Sequence, residues 1–337
     1  MTNSNLIDPY SRKITYLRLS VTDRCDLRCT YCMSEDMQFL RKKDVLTFEE
    51  MFKICEGFIN LGVNKIRITG GEPLVRKGIM DFFKMLKPLL ETQLNEITLT
   101  TNGTQLKRYS DDLFEAGIRR VNVSLDSLDK NKFKQITRIG NLQTVLEGIM
   151  AAKNSGLKVK INCVALKNIN ENEIYSFIEW CLKEKFDLTF IETMPMGDIG
   201  NENRLNNFLS LSEMKKKIQT KYKLEDIDYS SGGPARYSKI EGSKIKLGFI
   251  TPLSHNFCST CNRVRIDATG IMHQCLGQTN SVDFRTILRA PESSEKDIIN
   301  AIRTAINDKP ERHSFAFDYA NKDIEGKISR HMSLTGG

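Results

Sequence analysis

The stretch Leu17-Arg18-Leu19-Ser20-Val21-Thr22-Asp23-Arg24-Cys25-Asp26-Leu27-Arg28-Cys29-Thr30-Tyr31-Cys32 decides the reading of this chain. Its first half alternates apolar and polar side chains, the period of a β-strand with two unlike faces. Its second half places Cys25, Cys29 and Cys32 on one loop in the spacing Cys-x3-Cys-x2-Cys. Three thiolates on a loop can hold three irons of a [4Fe–4S] cube, a group that usually takes four cysteines. One iron would then stay open to a chelating molecule. Zinc is the competing metal, but structural zinc needs four closed ligands. No histidine or further cysteine lies close by in the sequence to complete such a set.

Outward from this stretch, β-rich runs alternate with helical ones. The runs Thr15–Thr22, Lys65–Thr69, Glu96–Thr101, Arg120–Leu125, Lys158–Leu166 and Asp187–Met194 are separated by Thr47–Leu61, Gly78–Leu90, Gln105–Ala116, Leu142–Asn154 and Glu171–Lys185. Thr47 and Glu50 fit a capping box at a helix start. Such β/α alternation predicts a parallel sheet, in a barrel or a doubly wound fold. Each strand carries a polar set: Arg18, Ser20, Thr22; Arg67, Thr69; Thr98, Thr100, Asn102; Asn122, Ser124, Asp126; Lys158, Lys160, Asn162; Glu192. Buried parallel strands are normally apolar on both sides, and closed barrels fill their interiors with branched apolar residues. A partial barrel whose concave face lines a wet channel accounts for the pattern. An open sheet with one solvated face is the plainer alternative.

Composition sets the outer bounds. The chain has 337 residues, 40% hydrophobic and 27% charged, as in ordinary globular proteins of about two domains. No apolar run approaches the roughly 20 residues of a membrane-spanning helix, and Met1 to Tyr10 lacks a signal-peptide core. A cytoplasmic location and no membrane partner are therefore expected. The net charge of +8 is spread along the chain, which argues against a nucleic-acid partner and suits a small polyanion. Nine cysteines suit metal binding better than disulfides in a reducing compartment. After about residue 200 the pattern changes. One helical stretch, Ser212–Lys221, precedes a second cysteine group, Cys258, Cys261 and Cys275. His255 and His273 lie near, so zinc competes more strongly here. The expected organisation is a barrel over 1–200, a smaller cluster-binding domain over 201–325, and a flexible tail over 326–337 ending in Gly336-Gly337. Cys55, Cys163, Cys181, Trp180 and His313 read as structural residues.

With Tyr31 before its last cysteine, the first group resembles the motif of the radical S-adenosylmethionine superfamily. Gly70-Gly71-Glu72-Pro73 resembles that superfamily's segment against the methionine amino group. Phe257-Cys258-Ser259-Thr260-Cys261-Asn262-Arg263-Val264-Arg265, followed by Cys275-Leu276, resembles one branch, the GTP 3′,8-cyclases of the molybdenum cofactor biosynthesis protein A family. Thr100-Thr101-Asn102-Gly103, Asn122-Val123-Ser124-Leu125-Asp126, Phe190-Ile191-Glu192 and Gly233-Pro234-Ala235 extend the likeness over nearly the whole chain, in order.

The resemblance implies an α/β fold, a partial (β/α)6 barrel of the radical S-adenosylmethionine type with a smaller C-terminal cluster-binding domain. It implies two [4Fe–4S] clusters, at Cys25, Cys29, Cys32 and at Cys258, Cys261, Cys275, with S-adenosyl-L-methionine as cofactor. Tyr31, Gly71, Ser124 and Met194 would contact the cofactor. Arg18, Arg67, Thr100, Lys160, Arg263, Val264 and Arg265 would contact GTP, with Arg18, Arg263 and Arg265 serving catalysis. A 5′-deoxyadenosyl radical would take the ribose 3′ hydrogen. The C3′ radical would attack guanine C8, and an electron and proton would complete (8S)-3′,8-cyclo-7,8-dihydro-GTP, the first step of molybdenum cofactor biosynthesis. A cyclic pyranopterin monophosphate synthase downstream, a flavodoxin or ferredoxin-type reductant, and a homodimer are the implied partners. The Gly-Gly tail is either a frayed terminus or a segment that reaches the active site. Three departures stand out: Asp26 for the usual Asn, Thr189 for a common Arg, and no Trp within Met196–Asn201. A peptide-modifying enzyme of the same superfamily is the alternative, and a zinc-dependent nucleic-acid-binding protein a more distant one.

Overall fold

The computed structural model describes residues 5–194, 196–197, 206–318, 323–325 and 328–336. The first half runs β1 (Tyr16–Ser20), α1 (Phe48–Asn60), β2 (Lys65–Thr69), α2 (Ile79–Leu86), β3 (Glu96–Thr101), α3 (Leu106–Glu115), β4 (Arg120–Ser124), α4 (Lys130–Thr137), α5 (Leu142–Asn154), β5 (Lys158–Val164), α6 (Ile174–Glu184) and β6 (Asp187–Ile191). The second half contributes α7 (Leu211–Gln219), β7 (Leu224–Ile227), β8 (Arg236–Ile240), β9 (Lys246–Ile250), β10 (Arg263–Ile266), β11 (Ile271–His273), β12 (Ser281–Asp283), α8 (Phe284–Leu288), α9 (Glu295–Asn307), β13 (Ala316–Asp318), β14 (Asp323–Glu325) and α10 (Met332–Thr335).

Strands β1 to β6 pair side by side, parallel and in chain order. The order of the large sheet is β12-β11-β10-β1-β2-β3-β4-β5-β6-β9-β8-β7, and it does not close. Apart from the small antiparallel pair β13-β14, the strands of the second half do not form a sheet of their own. They continue the barrel at both edges, with β10 parallel to β1 and β9 parallel to β6, and antiparallel hairpins beyond them. Both flanks of the channel are thus made by the later part of the chain.

Apolar positions of the strands, such as Leu17, Leu19, Ile66, Ile68, Leu99 and Val123, are buried in one core with the helices. Helix α1 starts at the expected capping box, with Thr47 accepting from Glu50 N and Glu50 accepting from Thr47 N. The polar faces are also buried: Arg18, Arg67, Thr98, Asn122 and Lys160 are each less than a tenth exposed. An open sheet with a solvated face would leave them wet, so the concave channel is the structure adopted. Lys158 differs from its set and is exposed at the start of β5.

Four helices escape the sequence reading, the one-turn α8 and α10 and the longer α4 and α9. Helix α4 is short and polar, and α9 lies in the region read as loops and cysteine ligands. A capping box at Ser294 and Asp297 and the buried row Ile298, Ile302, Ala305 and Ile306 mark α9. The strands after residue 220 have three to five residues each, too short for a period to stand out. Among the described residues no helix is long and apolar enough to cross a membrane.

Candidate active site between the two cysteine groups

The first cysteine loop follows β1 and is braced from the side by α4 and its C-terminus. Arg28 N donates to Thr137 O, Thr30 N to Ile136 O, and Arg138 Nη1 to Arg28 O and Met33 O. Gly71 meets the same loop: its N–H donates to Thr22 O, and a Cβ there would lie 2.4 Å from Arg24 O. Glycine at this position therefore lets the second strand's loop approach the backbone leading into Cys25. Cys25, Cys29, Cys32, Tyr31, Gly71, Ser124 and Met194 all line one cavity.

The donors there suit a metal group. Burial pushes the Cys25 thiol up to about 12 and Cys29 well above its ordinary value. Such thiols are poor free nucleophiles, and a coordinated metal ionises them outright. Cys25 Sγ accepts from Leu27 N at 3.4 Å and from Asn102 Nδ2 at 3.7 Å. Asp26 orients that amide, accepting from Asn102 Nδ2 at 2.7 Å and from Thr104 Oγ1 at 2.6 Å. The Asp26 departure thus has a local role. Tyr31 donates its hydroxyl to Asp126 Oδ2 at 2.6 Å, and burial raises Asp126 to about 6.

A second cavity is lined by Cys258, Cys261, Cys275, Arg18, Arg67, Arg263, Val264 and Arg265. It shares Asn162, Ile191 and Met194 with the first, so the two are contiguous. Sheet register explains the cationic wall. Arg265 on β10 pairs with Arg18 on β1, which pairs with Arg67 on β2, giving three guanidiniums in one row. Burial, with Arg67 and Arg263 adding to it, pulls Arg18 down to about 10. Burial also lowers Arg265 well below its usual value. Like charges held this close in a dry wall favour a polyanionic ligand with bidentate acceptors. Arg67 Nε, Thr100 Oγ1 and Asn162 Oδ1 are buried with no hydrogen-bond partner inside the protein, as expected of a ligand-facing wall.

Two expected GTP contacts lie elsewhere along the channel. Thr100 is in the wall of the first cavity. Lys160 lies outside both linings, its Nζ donating to Tyr237 OH at 2.6 Å, with burial lowering the ammonium well below its usual value.

The second group's thiols also suit metal. Cys258 and Cys275 are raised by burial. At Cys261 burial acts upward but is outweighed by Arg263, Lys309 and Arg12, leaving the thiol below its ordinary value. The two histidines that the sequence offers for zinc are not placed to complete a site. His273 uses both ring nitrogens, Nε2 on Asp267 at 2.9 Å and Nδ1 on Arg330 at 3.0 Å, and His255 is exposed. Among the described residues no three His, Cys, Asp or Glu side chains form a group suited to one metal ion. His313, read from sequence as structural, lines this cavity with both ring nitrogens unpartnered. A lone histidine in a loop carried no signal of that.

The end of the chain enters the same space. Gly336 O accepts from Arg265 Nη1 at 2.8 Å and from Arg18 Nη2 at 3.4 Å. Met332 and Ser333 of α10 line the first cavity, and Gly197 N donates to Ile328 O. Residues 328–336 are therefore docked rather than a flexible tail, because buried arginines take up a backbone carbonyl. Gly337 and the positions 198–201, where the Trp is missing, lie outside the described residues.

Comparison with known proteins agrees with this geometry. A Radical SAM superfamily model matches residues 19–181, and a Molybdenum Cofactor Synthesis C model matches residues 186–315. The chain is 52% identical over 98% of its length to a GTP 3′,8-cyclase of Paracoccus denitrificans, covering 96% of that protein. It is 53% identical to one of Nitrobacter hamburgensis over 98% of this chain and 96% of the relative. A GTP 3′,8-cyclase of Sinorhizobium medicae is 51% identical over all of this chain and 95% of its own length. The solved structure of Streptococcus suis SuiB bound to S-adenosylmethionine has the same fold, with a TM-score of 0.62 at 14% identity, covering 86% of this chain and 68% of that one. Three thiols at each end of a contiguous channel, an arginine row between them and full-length relatives at this identity lead to one conclusion: the chain belongs to the GTP 3′,8-cyclase family.

Proposed function

We propose that this chain converts GTP to (8S)-3′,8-cyclo-7,8-dihydroguanosine 5′-triphosphate, the opening step of molybdenum cofactor biosynthesis. The observation that carries the reading is the pair of contiguous cavities, each with its own three cysteines, joined past Met194 and Ile191 with Arg265, Arg18 and Arg67 in the wall. Cys25, Cys29 and Cys32 would hold one [4Fe–4S] cluster, and Cys258, Cys261 and Cys275 a second. When bound, the first cluster and S-adenosyl-L-methionine supply a 5′-deoxyadenosyl radical that abstracts the ribose hydrogen.

The residues of the chain do the rest. Tyr31, held by Asp126, Gly71, Ser124 and Met194 shape the cofactor's cavity. Arg18, Arg67, Arg263 and Arg265 bind and orient the anionic substrate, as bidentate donors that stay charged. Val264 and Ile191 give the channel an apolar wall that excludes water from the reacting atoms. Gly336 O occupies the acceptor site of Arg265 and Arg18, which places the chain terminus where it can orient both arginines. A flavodoxin or ferredoxin-type donor and a downstream cyclic pyranopterin monophosphate synthase complete the proposed setting in the cytoplasm.

Anaerobic reconstitution followed by iron and sulfide counting, then incubation with GTP, S-adenosylmethionine and dithionite, tests the reading. About eight irons per chain, 5′-deoxyadenosine and a GTP-dependent cyclised product are expected. Zinc in place of iron, or a single cluster in a fully active enzyme, would overturn it.

A further inference from the structure

Lys309 follows α9 and is only 2% exposed. Lysine is almost never buried this deeply without an anionic partner, since an unpaired ammonium away from water is strongly disfavoured. Among the described residues its side chain has two hydrogen-bond acceptors: Gln274 O at 2.7 Å and Cys261 Sγ at 3.6 Å. Neither is a carboxylate. The contrast with Arg12 is informative. Arg12 reaches the same loop, donating to Cys258 O, Pro310 O and Glu311 O, but its charge is met by Asp8 at 2.6 Å. Arg263, the other nearby cation, lies over the Phe257 ring and lines the cavity. Lys309 is thus a buried cation that forms no ion pair with a carboxylate among the described residues and that touches the second cysteine group at Cys261.

We propose that Lys309 is the charge-compensating donor to the metal group held by Cys258, Cys261 and Cys275, a positioning residue that raises its reduction potential and retains it in the protein. The inference rests on the reading of these cysteines as iron–sulfur ligands. An ammonium beside a ligating sulfur lowers the energy of the more negative, reduced group, and a hydrogen bond to that sulfur withdraws charge from the metal. The second contact, to Gln274 O, ties the segment next to Cys275 to the same nitrogen, so one side chain braces two of the three ligand positions.

The test uses the full-length chain with Cys25, Cys29 and Cys32 replaced by Ala, reconstituted anaerobically so that any cluster resides at the second group. Lys309→Gln, which keeps amide donors without the charge, and Lys309→Arg, which keeps the charge, are compared with the parent. Iron per chain, loss of iron to a chelator, and the midpoint in an EPR-monitored redox titration are measured. Circular dichroism of each chain before reconstitution checks the fold. The expected result is a more negative midpoint and about tenfold faster iron loss for Lys309→Gln, with Lys309→Arg close to the parent. Lys309→Gln with the parent's midpoint and retention would overturn the proposal. So would Lys309→Arg as impaired as Lys309→Gln. A parent that takes up zinc but no iron and sulfide would instead sink the cluster reading, and the proposal with it.

Discussion

Gly336→Ala puts the docked chain end to a direct test. Gly336 has φ +74, in the left-handed region, where an L side chain costs about 1–2 kcal/mol. An alanine Cβ would also lie 2.1 Å from Thr69 Oγ1 and 2.4 Å from Thr69 Cβ, on a barrel strand that cannot yield. The terminus would have to withdraw, giving up the Arg265 hydrogen bond, worth about 1.5–3 kcal/mol for a charged donor. The left-handed strain and about 1–3 kcal/mol of overpacking against Thr69 burden only the docked form, and about 3 kcal/mol together shifts the docking equilibrium about 150-fold toward the undocked form. Hydrogen exchange at Leu334, whose N–H donates to His331 O, should accelerate strongly. Turnover of GTP by reconstituted enzyme should fall at least tenfold, while iron content and the melting temperature stay near wild type, because Gly336 contributes nothing to the apolar core. Full turnover with unchanged exchange in 331–336 would refute the reasoning that Gly336 is locked against Thr69 and the arginines.

Gly71→Ala would press a Cβ against Arg24 O, Asp23 O and Arg24 C, all backbone atoms, at about 1–3 kcal/mol of overpacking; iron counting should show loss at the first cysteine group with the second retained. Tyr237→Phe removes the hydroxyl that fixes Lys160, so affinity for GTP should drop by about five- to tenfold, or about 1–1.5 kcal/mol, with guanosine affinity unchanged. Equal losses for the two ligands would disconnect Lys160 from the phosphate chain. Asp126, raised to about 6 by burial, binds its proton more tightly in the folded than in the unfolded chain. Its effect on stability is therefore unfavourable above pH 6 and fades as pH falls from about 6 toward 4, by about 2–3 kcal/mol. Asp126→Asn should remove that component from the pH dependence of urea unfolding, and an unchanged difference between pH 4 and pH 7 would count against it.

The parts of the fold that could be read in advance were those written in local periodicity. Lys65–Thr69, Glu96–Thr101 and Leu142–Asn154 form elements with the expected bounds, because β-branched alternation, or an Asn141 cap before an apolar stripe, is a property of a few adjacent residues. The polar strand faces foretold a channel for the same reason. Helix α4, which braces the cysteine loop, was not legible, since in eight mostly polar residues its buried stripe is only Phe133, Ile136 and Thr137, barely one turn. Thr100, in the wall of the first cavity, and the buried Lys160 are members of the polar strand sets, but position along the channel depends on strand stagger, which no single strand encodes.

By itself the sequence determined two three-cysteine groups, a set of β/α units with one polar face, and through motif order the chemistry those groups resemble. Spacing within a loop and alternation along a strand are short-range, and they survive without knowledge of the rest of the chain. Only the tertiary structure decided that β10 and β9 extend the barrel at its two edges, bringing Arg265 beside Arg18 and the second cysteines to the mouth of the first cavity. It also decided that Gly336 lies on those arginines and that Lys309 is buried against Cys261. These are contacts between segments far apart in sequence, fixed by sheet register and side-chain packing, and no local pattern carries them.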